Sequence, residues 1–252
     1  MRLDWSPLDA ELARLPAPLP VWWRDDDAVS DTPALDRLIA LTDKTGWPLH
    51  LAVIPAHADA SLVARLRQAP RVISVVHGWS HDSHAPASEK KAEFGAHRPV
   101  ATMHAQARAG LDRLADLPRL APMFVPPWNR IDPALLPLLP GAGFTAVSTF
   151  TPRKTPEAAP GLARVNTHLD PIDWRGSRSL VDPDRLIAQM ARDLADRRET
   201  RTDPLEPYGL LTHHLVHDTP IWDFVDTLLT RLAGAPVTYW TARPLTDPEP
   251  TP

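Results

Sequence analysis

The sequence predicts an α/β protein in which short strands alternate with helices along nearly the whole chain. Seven or eight apolar, β-branched runs are separated by helical patterns, which indicates parallel strands joined by right-handed crossovers. Hydrophobic residues make up 43% of the 252 residues and charged residues 23%, so the chain can bury a sizeable core. A barrel or a doubly wound sheet is the expected architecture.

The first half of the chain begins with a predicted strand at 21–26 (VWWRDD). The helix that follows, at 32–44, has Thr32 as its N-cap, Pro33 at its first position and Gly46 as its stop. Further strands are predicted at 48–55, 72–77 and 123–127, and helices at 60–68, 100–116 and 133–139.

The second half continues the alternation, with predicted strands at 144–149, 163–168, 208–214 and 236–241. Helices are predicted at 183–198 and at 221–234, where Gly234 closes the second. There is no internal repeat and no linker, so residues 1–252 are expected to form a single domain, with a short flexible tail at 246–252.

Composition excludes several classes of protein. The chain has no cysteine, so a metal would have to bind His, Asp or Glu. A net charge of −4 gives no basic footprint for nucleic acid. The sequence contains no run of 18 apolar residues, so no membrane span is predicted. The N-terminus lacks the apolar region of a signal peptide. A cytoplasmic location is therefore expected, whereas the oligomeric state is not predicted.

Polar residues with chemical potential follow several of the strands, where ligands bind in both candidate architectures. Asp25, Asp26 and Asp27 follow the first strand, and a carboxylate run of this kind is costly without a cation. His77 and His81 follow the third strand with the i, i+4 spacing that suits one divalent ion. Alone, the aspartates could cap a helix and the histidines could lie on the surface. Together they form a two-histidine, one-carboxylate set.

Other strand ends offer aromatic, amide and imidazole groups. Each has an ordinary structural interpretation: the segments around Trp128 and Trp174 could be plain turns, and the histidines after the seventh strand could be core residues. His84 is expected at the rim rather than among ligands. The remaining candidates for substrate contact or proton transfer are Pro127, Asn129, Asp173, His213 and His214.

These segments, in this order over residues 20–240, resemble the motifs of the polysaccharide deacetylase family (carbohydrate esterase family 4). The matching segments are RDDDAVSDTP, HGWSH, VPPW, DPIDW and LTH. The resemblance implies a distorted (β/α)7 barrel of the glycoside hydrolase/deacetylase type. It implies that Asp25 is the catalytic base, that Asp26, His77 and His81 bind the metal, and that His213 is the general acid.

The chain departs from the family pattern at three positions. Asp27 stands where glycine is usual, so the base and ligand could instead be Asp26 and Asp27. Gly78 replaces a hydroxyl residue in the second motif. Val125 replaces the arginine that in the family neighbours the base, and Arg24 or Arg130 could substitute for it.

The resemblance further implies one divalent ion, Zn²⁺ first, with Co²⁺, Ni²⁺, Fe²⁺ or Mn²⁺ as alternatives. The implied reaction is removal of an acetyl group from an N-acylated carbohydrate or small amide, hydrolysis of a C–N bond other than a peptide bond. The expected substrate contacts are Arg24, Pro127, Trp128, Asn129, Asp173 and Trp174. Two alternatives stay open: a non-catalytic carbohydrate-binding or regulatory descendant, and a non-haem metal oxygenase that uses the same triad.

Overall fold

The computed structural model of the chain describes residues 3–245. Its helices are α1 (Ser6–Leu12), α2 (Pro33–Thr45), α3 (Ala60–Arg67), α4 (Val100–Arg113), α5 (Pro183–Arg198) and α6 (Thr219–Ala233). Its strands are β1 (Leu19–Ala28), β2 (Leu49–Val53), β3 (Val72–His77), β4 (Leu120–Val125), β5 (Ala146–Val147), β6 (Glu157–Ala159), β7 (Leu162–Arg164), β8 (Tyr208–Thr212) and β9 (Val237–Tyr239).

The strands form one sheet in the order β6-β7-β5-β4-β3-β2-β1-β8, and β9 pairs with the beginning of β1. Every pairing is parallel except that of β6 with β7. Beyond β7 the chain reaches the other edge of the sheet, since Leu211 donates its backbone N–H to the carbonyl of Leu169. This link draws the open sheet into the expected distorted barrel, with helices around it.

Side chains alternate between two apolar regions along β1. Val21 and Trp23 belong to the main core, between the sheet and the helices. Trp22 belongs to a smaller cluster inside the barrel, together with Ile73, Val75, Met123, Val125 and Val165. By the same two-residue period, Arg24 and Asp26 point into the barrel and Asp25 points toward the helices.

The strongest helix predictions are confirmed. In α2 the hydroxyl of Thr32 accepts the backbone N–H of Leu35, and Gly46 ends the helix with a φ of 77°. Helix α5 has the predicted bounds, and the side chain of Asp182 caps its first turn. The segment predicted as a helix at 133–139 is a 3-10 helix over Pro133–Leu138, because Pro137 has no N–H to donate to a regular α-helix.

Other elements differ from the prediction. Helix α1 and strand β6 were not predicted, and the strand expected at 144–149 is regular only at Ala146–Val147. None of the helices within residues 3–245 is long and apolar enough to cross a lipid bilayer. The tail expected to be flexible, 246–252, lies outside the described residues.

Candidate active site

A cavity of about 970 Å³ lies at the carboxyl ends of the strands. Polar and aromatic residues from β1, from β3 and from the loops after β3, β4, β7 and β8 line it, as expected for an α/β barrel. The predicted site residues on its wall are Asp26, Asp27, His77, His81, Trp128, Asn129, Asp173, Trp174 and His213. The predicted residues that do not line it are Arg24, Asp25, Pro127, His84 and His214.

Three ligand-type side chains meet on this wall: Asp27, His77 and His81, whose donor atoms all lie within 4.8 Å of one another. The Oδ1 atom of Asp27 is 3.1 Å from Nε2 of His77 and 3.3 Å from Nε2 of His81. Donor atoms at these separations can reach one ion at the ligand distances of about 2.0–2.2 Å typical of Zn²⁺. Two imidazoles and one carboxylate therefore fit a divalent metal that leaves positions for water or substrate.

The tautomer of His77 suits this role. Its Nδ1–H donates to the backbone carbonyl of Val125 at 3.0 Å, which leaves Nε2 facing Asp27. Burial lowers the pKa of His77, but the carboxylates of Asp26 and Asp27 outweigh burial and raise it above its usual value. Burial and the neighbouring His77 lower the pKa of His81. A ring held by a backbone carbonyl is the usual support for a metal-binding histidine.

Asp27 reaches the cavity because β1 is irregular there. The pairing of β1 with β2 shifts register between Asp25 and Ala28, and Asp27 has a φ of 77°. Such a bulge re-aims a side chain that would otherwise alternate to the far face. Asp26 and Asp27, although adjacent, both line the cavity as a result. His81 and Trp128 also have positive φ, so strained backbone is concentrated around the site.

Asp26 is held by Arg24 from within the barrel. The guanidinium donates to both carboxylate oxygens, Nε to Oδ1 at 2.8 Å and Nη2 to Oδ2 at 3.0 Å. Arg24 is 0% exposed, and it also donates to Ser148 Oγ and Asn129 Oδ1. The expected substrate contact of Arg24 does not fit this geometry, because its guanidinium lies behind Asp26 and does not reach the cavity.

Asp25 points the other way and forms a buried pair with His214. The Nδ1–H of His214 donates to Oδ1 of Asp25 at 2.5 Å, and Thr212 Oγ1 and the backbone N–H of His214 donate to Oδ2. Burial raises the pKa of Asp25, but His214 outweighs it and lowers that pKa. Burial lowers the pKa of His214, but the charge of Asp25 outweighs burial and raises that pKa. Both side chains are enclosed and bonded to each other.

This geometry disagrees with the expected pairing of Asp25 as base and Asp26 as metal ligand. Asp25 does not line the cavity, and Asp26 is bonded to Arg24 while Asp27 contacts the two histidines. The alternative pairing, Asp26 as base and Asp27 as metal ligand, agrees with this geometry. The physical reason is strand alternation, which turns Asp25 out of the barrel, combined with the bulge at Asp27.

His213 faces the cavity on the far side of Asp26. Its Nε2 is 4.0 Å from Oδ2 of Asp26, and the ring of Trp174 packs edge-on against it at 4.8 Å. Its Nδ1 is buried and has no hydrogen-bond partner among residues 3–245. Of the two adjacent histidines, His213 is thus the one beside the carboxylates of the cavity, and His214 is the one enclosed behind it.

The DPIDW segment contributes Asp170 as well as Trp174 to the wall. Burial raises the pKa of Asp170, which accepts the indole N–H of Trp174 at 2.7 Å and whose charge interacts with that of His213. The carboxylate of Asp173 instead accepts backbone N–H groups of Gly176 and Ser177 in its own turn. Asp170 was not among the predicted site residues.

On the opposite side, Trp128 packs against the ring of His81 at 4.3 Å, and Asn129 links the loop to Arg24. Pro127 is buried, and its ring lies where a Cβ on Gly78 would be, at 2.5 Å. His84 is exposed, with its backbone N–H bonded to the carbonyl of Ala92. His84 does not line the cavity.

Sequence reasoning missed Glu93, which is 0% exposed. Its carboxylate accepts the backbone N–H groups of Trp79, Ser80 and His81 at 3.2, 2.7 and 3.2 Å. A Cβ on Gly78, whose φ is 59°, would lie 2.3 Å from Glu93 Oε2. This contact accounts for glycine where the resembled family has a hydroxyl residue. Nothing in the surrounding KKAEFGAH distinguishes Glu93 from a surface glutamate.

No family model matches the chain, and no curated protein matches it by sequence. Solved structures do. A protein described as a polysaccharide deacetylase of Mycobacterium smegmatis superposes with a TM-score of 0.56 and 16% identity, covering 86% of this chain and 81% of that one. The chain has the polysaccharide deacetylase fold.

Two further neighbours of this fold differ in activity. The Bc1960 peptidoglycan N-acetylglucosamine deacetylase has a TM-score of 0.50 and 14% identity, covering 90% of this chain and 89% of its own. A carbohydrate esterase family 4 pseudoenzyme from Bacillus anthracis has the same TM-score and identity, covering 89% of this chain and 65% of its own. The family named in the sequence resemblance is thus the family of the structural neighbours, and the fold alone is compatible with both active and inactive members.

Proposed function

We propose that the protein is a metal-dependent deacetylase that removes the acetyl group from an N-acylated sugar or a related amide. The observation that carries the proposal is the meeting of Asp27, His77 and His81 on the cavity wall, with Asp26 and His213 beside them. The deacetylases among the structural neighbours support the same reaction class.

Asp27, His77 and His81 would hold one divalent ion, Zn²⁺ or one of Co²⁺, Ni²⁺, Fe²⁺ and Mn²⁺. When bound, such an ion polarises the acyl carbonyl and lowers the pKa of a coordinated water. Asp26, held in a fixed orientation by Arg24, would accept the proton of the attacking water.

His213 would give a proton to the nitrogen as the C–N bond breaks, so that acetate and a free amine leave. Its neighbours Trp174 and Asp170 support this role, because they fix the ring at the cavity wall and place a carboxyl group near it. Trp128 and Trp174 offer flat apolar faces that suit the C–H surface of a sugar ring, and about 970 Å³ is ample for one or two such rings.

Two measurements test the proposal, metal content and acetate release. Purified protein incubated with Zn²⁺ should retain about one ion per chain after buffer exchange. Asp27→Ala, His77→Ala and His81→Ala should lose it, whereas His84→Ala, a histidine of the same segment outside the cavity, should keep it. Wild-type metal content in all three cavity variants would rule out the site.

Acetate release from N-acetylglucosamine oligomers should fall by about 10²–10⁴-fold in Asp26→Asn and His213→Asn, with metal retained. The presence of a pseudoenzyme among the neighbours favours one second candidate, a non-catalytic carbohydrate-binding protein. Bound metal without acetate from any N-acetyl compound would support that candidate instead.

A further inference from the structure

Five basic side chains surround the cavity, and we call them the basic rim: Lys91, Arg130, Arg175, Arg178 and Arg185. The chain as a whole is acidic, with 27 lysines and arginines against 31 aspartates and glutamates. Overall composition therefore does not account for this concentration of positive charge. A local excess of one sign of charge attracts ligands of the opposite sign.

Among residues 3–245, the basic rim has no acidic partners. Within residues 3–245, no carboxylate lies within ion-pair distance of any of its five side chains. Arg130 donates to the backbone carbonyl of Lys91, and the other four side chains are exposed. Other exposed arginines do pair with carboxylates, such as Arg108 with Asp112 and Arg201 with Asp196, and what distinguishes the rim is that five cations unpaired among the described residues surround one cavity.

The four carboxylates of the cavity wall contact groups outside the basic rim. Asp26 is bonded to Arg24, and Asp27 contacts the two histidines. Asp170 accepts N–H groups of Trp174 and Ile172, and Asp173 accepts those of Gly176 and Ser177. None of these four carboxylates is paired with a basic-rim side chain among residues 3–245, so the rim cations are available to a ligand.

The basic rim lies beside the aromatic walls. The Nζ atom of Lys91 is 5.9 Å from the ring centre of Trp128, and the guanidinium of Arg178 is 5.3 Å from that of Trp174. A ring seated between the tryptophans would present its substituents to these cations. Arginine binds phosphate and carboxylate through paired, charge-assisted hydrogen bonds, so it suits an acidic substituent better than a hydroxyl group.

We infer that the substrate is an anion: an N-acylated sugar or small amide that also bears a phosphate or carboxylate group, which the basic rim binds. This inference rests on the proposed deacetylase function and narrows its substrate class. The reacting acetamide would face Asp26 and His213, and the acidic substituent would face the mouth of the cavity.

Three compounds test the inference: N-acetylglucosamine, its 6-phosphate, and N-acetylmuramic acid, which carries a carboxylate. Calorimetry with the Zn²⁺-loaded full chain should show at least about tenfold tighter binding of an anionic compound than of the neutral sugar. The preference should shrink between about 20 mM and about 300 mM salt. The better of the two anions identifies the acidic group.

Matched triple variants locate the effect. Arg175→Gln, Arg178→Gln and Arg185→Gln together should abolish the preference for the anion while leaving binding of the neutral sugar within about twofold. The control is Arg67→Gln, Arg108→Gln and Arg192→Gln, which removes the same charge from exposed positions outside the cavity wall and should keep the preference.

The outcomes separate this inference from the proposed function. Equal affinity for the three compounds, no binding of either anion, or equal losses in both triple variants would overturn it, even if all three compounds were deacetylated. Tighter, rim-dependent binding of an anion without acetate release would keep the anionic ligand and reject the deacetylase. Rim-dependent binding with acetate release supports both.

Discussion

The guanidinium of Arg24 makes a two-point ion pair with the carboxylate of Asp26, at 2.8 and 3.0 Å, inside the barrel. In the resembled family an arginine beside the base comes from the position of Val125. Val125 also points into the barrel, from β4, so the positive charge has moved to another strand while still facing the interior. Under the proposed function, in which Asp26 is the base, Arg24 supplies the guanidinium that the family places at the position of Val125.

Removing Arg24 should leave Asp26 as an unpaired, buried charge. Arg24→Met is expected to lower the free energy of unfolding by about 3–5 kcal/mol, because breaking a buried pair costs more than replacing it. Urea denaturation measures this loss, and acetate release should fall with it.

A second substitution distinguishes orientation of Asp26 from a general loss of stability. Arg24→Met combined with Val125→Arg returns a guanidinium to the family position and should recover part of the acetate release lost in Arg24→Met. If Arg24→Met alone kept wild-type acetate release, Arg24 would have no role in positioning Asp26.

The buried pair of Asp25 and His214 should matter for folding and not for metal binding. Asp25→Asn removes the charge that His214 faces, so the free energy of unfolding should drop by about 3 kcal/mol or more. Metal content, measured after buffer exchange, should match that of the wild type. Asp27→Asn is the comparison that should lose metal. Loss of metal in Asp26→Asn with retention in Asp27→Asn would restore the pairing expected from sequence.

Glu93 should control metal affinity without touching the ion, because it orders the loop that carries His81. Glu93→Ala is expected to weaken metal binding by about 10–100-fold, the usual effect of removing a group that supports a ligand. A competition titration with a chelator measures the change. Glu89→Gln, which alters an exposed glutamate nearby, should leave affinity unchanged. Wild-type affinity in Glu93→Ala would show that the loop is ordered without it.

His50 should make stability fall in mild acid. Burial and then the positive charge of Arg24 lower the pKa of His50 to about 4, although the hydrogen bond to Trp23 opposes them. Its Nδ1–H donates to the carbonyl of Trp23, and its Nε2 accepts the N–H of Ala242, so the folded ring must be neutral. The unfolded chain binds this proton near pH 6.5, and stability is therefore full above that pH and declines as the pH falls toward 4.

The expected contribution of His50 is a loss of about 2 kcal/mol between pH 7 and pH 5. The glutamine of His50→Gln can donate and accept the same two hydrogen bonds without titrating. Between pH 7 and pH 5, the free energy of unfolding of this variant should therefore fall by about 2 kcal/mol less than that of the wild type. Urea denaturation of both proteins at the two pH values gives the difference. Burial likewise lowers the pKa of His217 to about 4, and both proteins keep that contribution. Identical slopes in the two proteins would contradict the assignment.

The order of elements and the location of the site could be predicted from the sequence because they depend on local signals. Helix α2 has Thr32 as its N-cap and Pro33 at its first position, and it ends at Gly46. Apolar runs that alternate with amphipathic helices indicate parallel strands, whose carboxyl ends must meet at one edge of the sheet. Helix α1 was missed because it has only seven residues, too few to show a helical period.

The tertiary structure decides which partner each of the three aspartates contacts. Strand β1 is buried on both faces, so VWWRDDD has no polar alternation that would reveal which carboxylates point inward. The bulge at Asp27 and the partner of Asp25 exist only once β2 and β8 flank β1. Glu93 and the basic rim likewise come from separate segments that carry no periodic signal. Local patterns determined which residue types follow each strand, whereas the packing of distant segments determined which side chains meet.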